Sequence, residues 1–284
     1  ATTEIYPLSL HDALPISYFL RVRSGASAGR VLPVTNTPNT DSRLYLDTDG
    51  VSLAQSGVAL GPTGDAYEIL PAETLASVFG GLGLTGGASA STADLVQVWS
   101  GASWLVFYFN TTRSRWERNI DTATSPSRDS FVLRPDRGIL VQRRNAGPAT
   151  IRLQLRGRAP EFAPRHFHAR PGTTFVATGV PVDLTLSGLN ATVGIGVAGS
   201  WTPASAPTSA IATADLVLVW SPTGNRWVIH YFDSTNSRWQ EAGDGSNTNR
   251  NDLVIPAGQA VILRRLGTSD NKLLTLPFPY TIDR

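Results

Sequence analysis

The residues that could do chemistry are few. The chain has four histidines, no cysteine and 22 acidic side chains. His166 and His168 form an H-x-H, and on an extended segment that spacing sets two imidazoles on one side, as a metal site needs. Glu161 is the nearest carboxylate, and no thiol exists to complete the set. His11 lies near the amino end, and His230 stands alone in an apolar run. No G-x-S-x-G, H-E-x-x-H or phosphate-binding loop is present. Paired carboxylates that cleave glycosides are defined by separation in space, and no Asp or Glu stands out by position. The expectation is a protein with no catalytic residue, no metal centre and no cofactor, hence not an enzyme.

Two groups of residues suggest binding instead. Asp244, Asn247, Asn249 and Asp252 belong to an oxygen-rich loop of the kind that holds calcium. Calcium takes about six to eight oxygens with some negative charge. Two Asp are few for that, and the same composition makes ordinary turns. Asp47-Thr48-Asp49-Gly50 is a weaker version. The second group is aromatic. Exposed Trp rows on a β face stack on sugar rings. Six of the seven Trp recur in pairs, whereas Trp201 sits unpaired in a Pro/Ser/Ala loop and is the candidate for an exposed ligand contact.

Those aromatics are positioned by a stretch that occurs twice. Residues 92–116 read TADLVQVWSGASWLVFYFNTTRSRW, and residues 213–239 read TADLVLVWSPTGNRWVIHYFDSTNSRW. The copies pair Trp99 with Trp220, Trp104 with Trp227 and Trp116 with Trp239. Each runs on into an Asp, a Pro, a Gly and a double Arg: Asp129, Pro135, Gly138 and Arg143-Arg144, then Asp252, Pro256, Gly258 and Arg264-Arg265. Each copy reads as a hairpin followed by a third strand. Trp104, Val106 and Tyr108 share one strand face, and Leu105, Phe107 and Phe109 the other. Both faces are apolar, so the strand is expected to be covered on both sides, with the paired Trp in the core. Of each Arg pair one member at most serves a given surface, and the expectation is a solvated face or a salt bridge to the repeat's own Asp94 or Asp215. His230 replaces Phe107 at a tolerant position.

The remaining pattern is short strands and turns. Residues 18–23, 30–34, 43–47 and 65–70 predict four strands of a small antiparallel barrel or meander. A helical turn is expected over 73–79 and a Gly/Ser/Ala loop over 82–91. Residues 130–133, 139–144 and 150–156 complete the first copy; 174–177, 182–186, 252–255, 260–266 and 272–276 serve the second. The segmentation is 1–17 non-native, 18–70 small β-module, 71–158 first β domain, 159–172 linker and 173–284 second β domain. The fold class is all-β: two tandem, similar antiparallel sandwich or barrel-like domains, the first carrying the small extra module.

Composition excludes some partners. Net charge is +2 and Lys272 is the only lysine. The arginines are spread among acidic residues instead of clustered, which argues against nucleic acid. No apolar run is long enough to span a membrane. Position 1 is Ala, there is no Met, and the redox compartment is not readable without cysteine.

The ordering resembles an uncharacterised family of exported, repeat-containing β-proteins from environmental Gram-negative bacteria. The matching residues are Tyr18-Phe19-Leu20, Ser24-Gly25, Gly29-Arg30, Asp65-Ala66-Tyr67-Glu68-Ile69, Thr74-Leu75, Phe79-Gly80, Ala93-Asp94, Tyr108-Phe109, Trp116, Gly138 and Arg143-Arg144. The resemblance implies export, an extracellular or cell-surface location and a β fold, and it assigns no catalytic residues. Residues 8–16, LSLHDALPI, resemble a translated sequencing adapter, so His11 and Asp12 are not offered as functional groups. The second copy has strands ahead of its hairpin where the first has the small module. The first copy is therefore expected to lack its opening strand and to leave a sheet edge open. The functional expectation is a structural protein, a matrix, sheath or filament subunit that self-associates through strand edges or domain packing. The alternative is a carbohydrate-binding protein with polysaccharide as its partner.

Overall fold

The computed structural model describes residues 17–35, 44–48, 53, 58–59, 64–80, 83–144, 165–189, 201–206, 209–266 and 272–276. The fold is all-β and antiparallel, and the chain divides into two compact units between Glu73 and Thr74.

In the first unit, β1 (Tyr18–Val22) is the centre of a three-stranded sheet, with β2 (Val31–Pro33) on one side and β3 (Tyr67–Pro71) on the other. Leu20 pairs with Leu32 and with Ile69 on one face, and Phe19 with Pro33 and Leu70 on the other, so both faces carry apolar residues. Residues 44–48 add one bridge, Val34 to Leu46, where a full strand is expected from sequence.

The second unit holds both copies of the repeat. The first copy opens with α1 (Leu75–Phe79), one helical turn capped by Thr74, whose hydroxyl accepts from the Ser77 N–H at 3.2 Å. Then come β4 (Leu95–Trp99), β5 (Trp104–Asn110), β6 (Arg115–Arg118) and β7 (Ile139–Gln142), in the order β6-β5-β4-β7. The second copy begins with β8 (Arg165–Ala169), β9 (Gly172–Ala177) and β10 (Leu184–Thr185), followed by α2 (Ala210–Thr213). Its main strands are β11 (Leu216–Ser221), β12 (Arg226–Asp233), β13 (Arg238–Glu241), β14 (Val254–Ile255), β15 (Ala260–Arg265) and β16 (Lys272–Leu276). The main sheet runs β13-β12-β11-β15-β9, with β10–β14 and β16–β8 as separate two-stranded sheets.

The copies agree residue by residue. Trp99 faces Trp104 in one hairpin and Trp220 faces Trp227 in the other. The turns after β5 and β12 place Ser114 and Ser237 at φ of 51° and 50°. Leu75 N–H donates to the Phe131 carbonyl at 3.0 Å, as Leu186 N–H does to Leu253 at 2.9 Å. This equivalence corrects the alignment read from sequence. Asp129 and Asn251, not Asp252, accept the N–H of Trp116 and of Trp239. Arg143 corresponds to Arg265, because each donates through Nε to its copy's Asp94 or Asp215. Ile139 and Val261 face Val98 and Val219, so Gly138 corresponds to Ala260, not Gly258.

Both sheets bury apolar residues on two sides, the first sheet over only part of its second face. Val96, Val98, Phe107 and Trp116 pack with Leu75, Phe79 and Leu133, while Leu95 and Tyr108 pack with Ala93 on the other face. In the second copy Val217, Val219, Val261, Leu263 and Trp239 pack with Trp201 and Leu186, and Leu216 and Tyr231 pack under Ala210 and Ala214. The stretch read as a linker, 159–172, contains β8 and the start of β9; strand pairing with β16 overrides its Pro and Arg content. The two copies are accordingly parts of one compact unit. The segments 1–16 and 145–164 lie outside the described residues, and with them the expected opening strand and the strand over 150–156.

Candidate functional site

The joint between the two copies is aromatic. Phe175, on β9, is buried between Trp104 and Trp227, with ring centroids 5.3 and 5.8 Å away. Trp99 lies edge-on to Trp104 at 5.2 Å, and Trp220 edge-on to Trp227 at 5.4 Å. These near-perpendicular contacts are the arrangement that ring quadrupoles favour. The joint also has main-chain contacts. Gly138 N–H donates to the Phe175 carbonyl at 3.0 Å, and the Trp99 indole N–H to the Thr173 carbonyl at 3.0 Å. All four Trp are half-buried. In the first copy the face they occupy continues into two amides. Strand alternation sets Gln97 and Gln142 on the side of Trp99 and Trp104, and Gln97 Nε2 donates to Gln142 Oε1 at 2.9 Å. The second copy has Leu218 and Arg264 in those places.

The sheet edges are treated unequally. On β6, Trp116 N–H donates to Asp129, the Trp116 carbonyl accepts from Arg128 N–H, and Arg118 N–H donates to Asp121. On β13 the same cover is supplied by Asn251 and Arg250. The outer side of β9 meets Gly138 and the Trp99 indole. β7 is the outer strand of its sheet, and among the described residues no strand lies against its free side. Its counterpart β15 carries β9 there. The consequence shows in burial: Val261 and Leu263 are 0% and 1% exposed, whereas the equivalent Ile139 and Val141 are only half-buried.

The charged groups of the unit are spent on structure. Glu117 is buried and accepts from Arg113 at 2.8 Å, Arg115 at 2.7 Å, Asn110 at 2.8 Å and the Tyr108 hydroxyl at 3.1 Å. Burial pushes its pKa up, but these four donors outweigh that and hold it at about 2. The second copy exchanges the two residue types. Tyr231 donates to the Gln240 carbonyl oxygen at 2.8 Å, and Gln240 donates to Asp233 at 2.8 Å. Asp94 accepts from the N–H groups of Thr85 and Arg144, each at 2.9 Å. Burial raises its pKa, yet those bonds and Arg143 bring it below the usual carboxylate range. Asp215 accepts from the N–H groups of Thr202 at 2.9 Å and Leu266 at 2.7 Å. Of the two expectations for each double Arg, a solvated face or a bridge to Asp94 or Asp215, the fold contains the bridge at Arg143 and at Arg265. The pairs are half-buried and buried, where a surface ion pair is the simpler expectation.

Trp201 and two members of the calcium-like loop are engaged in structural contacts. Trp201 is 1% exposed and packs edge-on against Trp239 at 6.1 Å, so it is a core residue and not an exposed ligand contact. Its loop returns alongside β11, where Thr202 binds Asp215, and that return buries the indole. Asp244 accepts from Ser246 N–H at 2.9 Å and from Arg250 at 3.4 Å, and Asn249 from Asn251 N–H at 2.9 Å. The calcium-like loop thus uses these oxygens for turn and ion-pair contacts, while Asn247 and Asp252 are exposed. His166 and His168 lie in β8, opposite Thr275 and Leu273. His230 is buried, and desolvation, reinforced by Arg250, lowers its pKa to about 4. Among the described residues no three His, Asp or Glu side chains form a metal-holding group, and no helix is long and apolar enough to cross a membrane. Sequence reasoning missed the Gln97–Gln142 pair and Phe175. The one available signal was that the copies differ at Gln97/Leu218. No family model, no curated protein and no solved structure matches this chain.

Proposed function

We propose that the protein is an exported structural protein of the cell surface, a matrix, sheath or filament subunit that self-associates by strand addition. The observation that carries this reading is the side of β7 that no strand covers among the described residues, with Ile139 and Val141 half-buried where the second copy buries both equivalents beside β9. An uncovered antiparallel edge beside capped edges is a template for another strand. Arg144 N–H points to Asp94, on the β4 side, so by alternation the main-chain groups of Val141 point outward. Val141→Pro then removes an outward N–H without breaking the β4–β7 ladder. The test is negative-stain electron microscopy with light scattering at high concentration. Ordered assemblies of the wild type that disperse in Val141→Pro are expected. A monodisperse wild-type monomer would overturn the reading.

A second reading, a carbohydrate-binding protein, is favoured by the four half-buried Trp flanking Phe175. Half-exposed indoles retain ring surface for stacking on sugars, whereas Trp116, Trp201 and Trp239 are buried and offer none. A glycan array decides whether any saccharide is bound.

A further inference from the structure

We infer that the first-copy face carrying Trp99, Trp104, Gln97 and Gln142 is a subsite for a neutral saccharide. This rests on the carbohydrate reading and narrows it to one copy and one ligand class. Recognition of a pyranose needs a flat apolar surface for its C–H face and planar hydrogen-bonding groups for its hydroxyls. Trp99 and Trp104, which face one another across β4 and β5 and are half-buried, supply ring surface for the first; the rings are tilted 67° apart, so the sugar's C–H face lies on one of them. The amide pair supplies the second. Its internal bond uses Gln97 Nε2 and Gln142 Oε1. That leaves Gln97 Oε1 and Gln142 Nε2 without protein partners among the described residues. If both amides are turned round, one carbonyl oxygen and one amino group still remain. A vicinal diol fits that remainder, since one hydroxyl donates to the carbonyl while its neighbour accepts from the amino group.

Charge points to a neutral ligand. Val106 and Leu140 occupy the same face beside Gln97; Glu117 and Arg115, farther along that face, are ion-paired with one another, and Arg143, on the opposite face, is engaged by Asp94. Arg144 follows Gln142 along the face, at the end away from the Trp pair. The second copy is an internal control. It keeps both Trp but has Leu218 and Arg264 where the amides stand, so it has indoles and a donor but no carbonyl to accept from a hydroxyl. Trp conservation between copies is explained by the Phe175 joint; the amides are needed for neither joint nor core.

The test is affinity electrophoresis and tryptophan-fluorescence titration of the intact chain against linear β-glucan, mannan, xylan and dextran, with alginate as the charged control. The double variant Gln97→Leu, Gln142→Arg installs the second copy's residues at partly exposed positions. It is expected to keep the wild-type circular dichroism and melting temperature while weakening binding about tenfold, as loss of two hydrogen bonds implies. Binding of a neutral polysaccharide that the double variant leaves unchanged overturns the subsite and spares the carbohydrate reading. Preference for alginate overturns the neutral class. Failure of all four neutral polysaccharides to bind overturns both.

Discussion

Gly138 and Phe175 meet at the joint of the two copies. The glycine N–H donates to the phenylalanine carbonyl at 3.0 Å, and the Phe175 ring fills the space a side chain at 138 would need. A Cβ there would stand 2.5 Å from Phe175 Cδ1 and 2.9 Å from the Ala260 Cβ. Gly138 and Ala260 are equivalent positions, so the repeat meets itself at its two smallest side chains. One strand, β9, completes the second sheet and plugs the aromatic end of the first.

Gly138→Ala is accordingly expected to destabilise the second unit by about 1–3 kcal/mol, the usual cost of overpacking a filled site. Thermal unfolding followed by near-ultraviolet circular dichroism measures it. Ala260→Gly, which opens space at the same joint, should cost less than Gly138→Ala; the reverse order would contradict the joint as described.

The exchange of Asn110/Glu117 for Asp233/Gln240 predicts coupling. Glu117→Gln turns an amide donor toward Asn110 and leaves Arg113 and Arg115 without a carboxylate, at a cost of about 2–4 kcal/mol. Adding Asn110→Asp restores one acid and one amide in the second copy's arrangement. Urea denaturation of the two single variants and the double should give a favourable coupling of at least about 1 kcal/mol.

Glu117 also shapes the acid limb. Its folded pKa, about 2, lies below its ordinary value of 4.5, so its contribution is complete above pH 4.5 and is lost as pH falls through 2. Glu117→Gln should therefore be less acid-sensitive than wild type in that window, though less stable at neutral pH. Guanidinium midpoints across the range report it.

His230 acts in a separate window. Its folded pKa of about 4 is below the ordinary 6.5, so between those values the unfolded chain binds a proton that the native state refuses. Stability should fall as pH drops from 6.5 to 4, by roughly 3 kcal/mol from this group. His230→Phe installs the residue of the first copy, Phe107, and should remove that slope in the same denaturation series.

The two Asp–Arg pairs differ in burial. Arg265 and Asp215 are 0% exposed, whereas Arg143 is 21% exposed over a buried Asp94. Arg265→Ala strands a buried carboxylate and should cost about 3–5 kcal/mol. Arg143→Ala lets water reach Asp94 and should cost clearly less. Equal melting temperatures for the two variants would contradict the burial difference.

What the sequence determined by itself is local. Short apolar runs rich in Val and aromatics over 95–99 and 104–110 dictate strands, the short polar turn dictates a hairpin, and apolar residues on both faces dictate cover on both sides. These are properties of backbone geometry and neighbouring side chains, so they are legible along the chain. Tertiary structure alone decided which aromatics are sealed. Trp201 and Trp104 look alike in a string, but Trp201 is closed in by a returning loop and Trp104 is left half-open beside Phe175, 71 positions away. Burial depends on which distant segment is placed over a face, and no spacing within a strand encodes that. The same holds for β7: its residues match β15 in pattern, and only the presence of β9 on one and not the other sets Ile139 and Val141 apart from Val261 and Leu263.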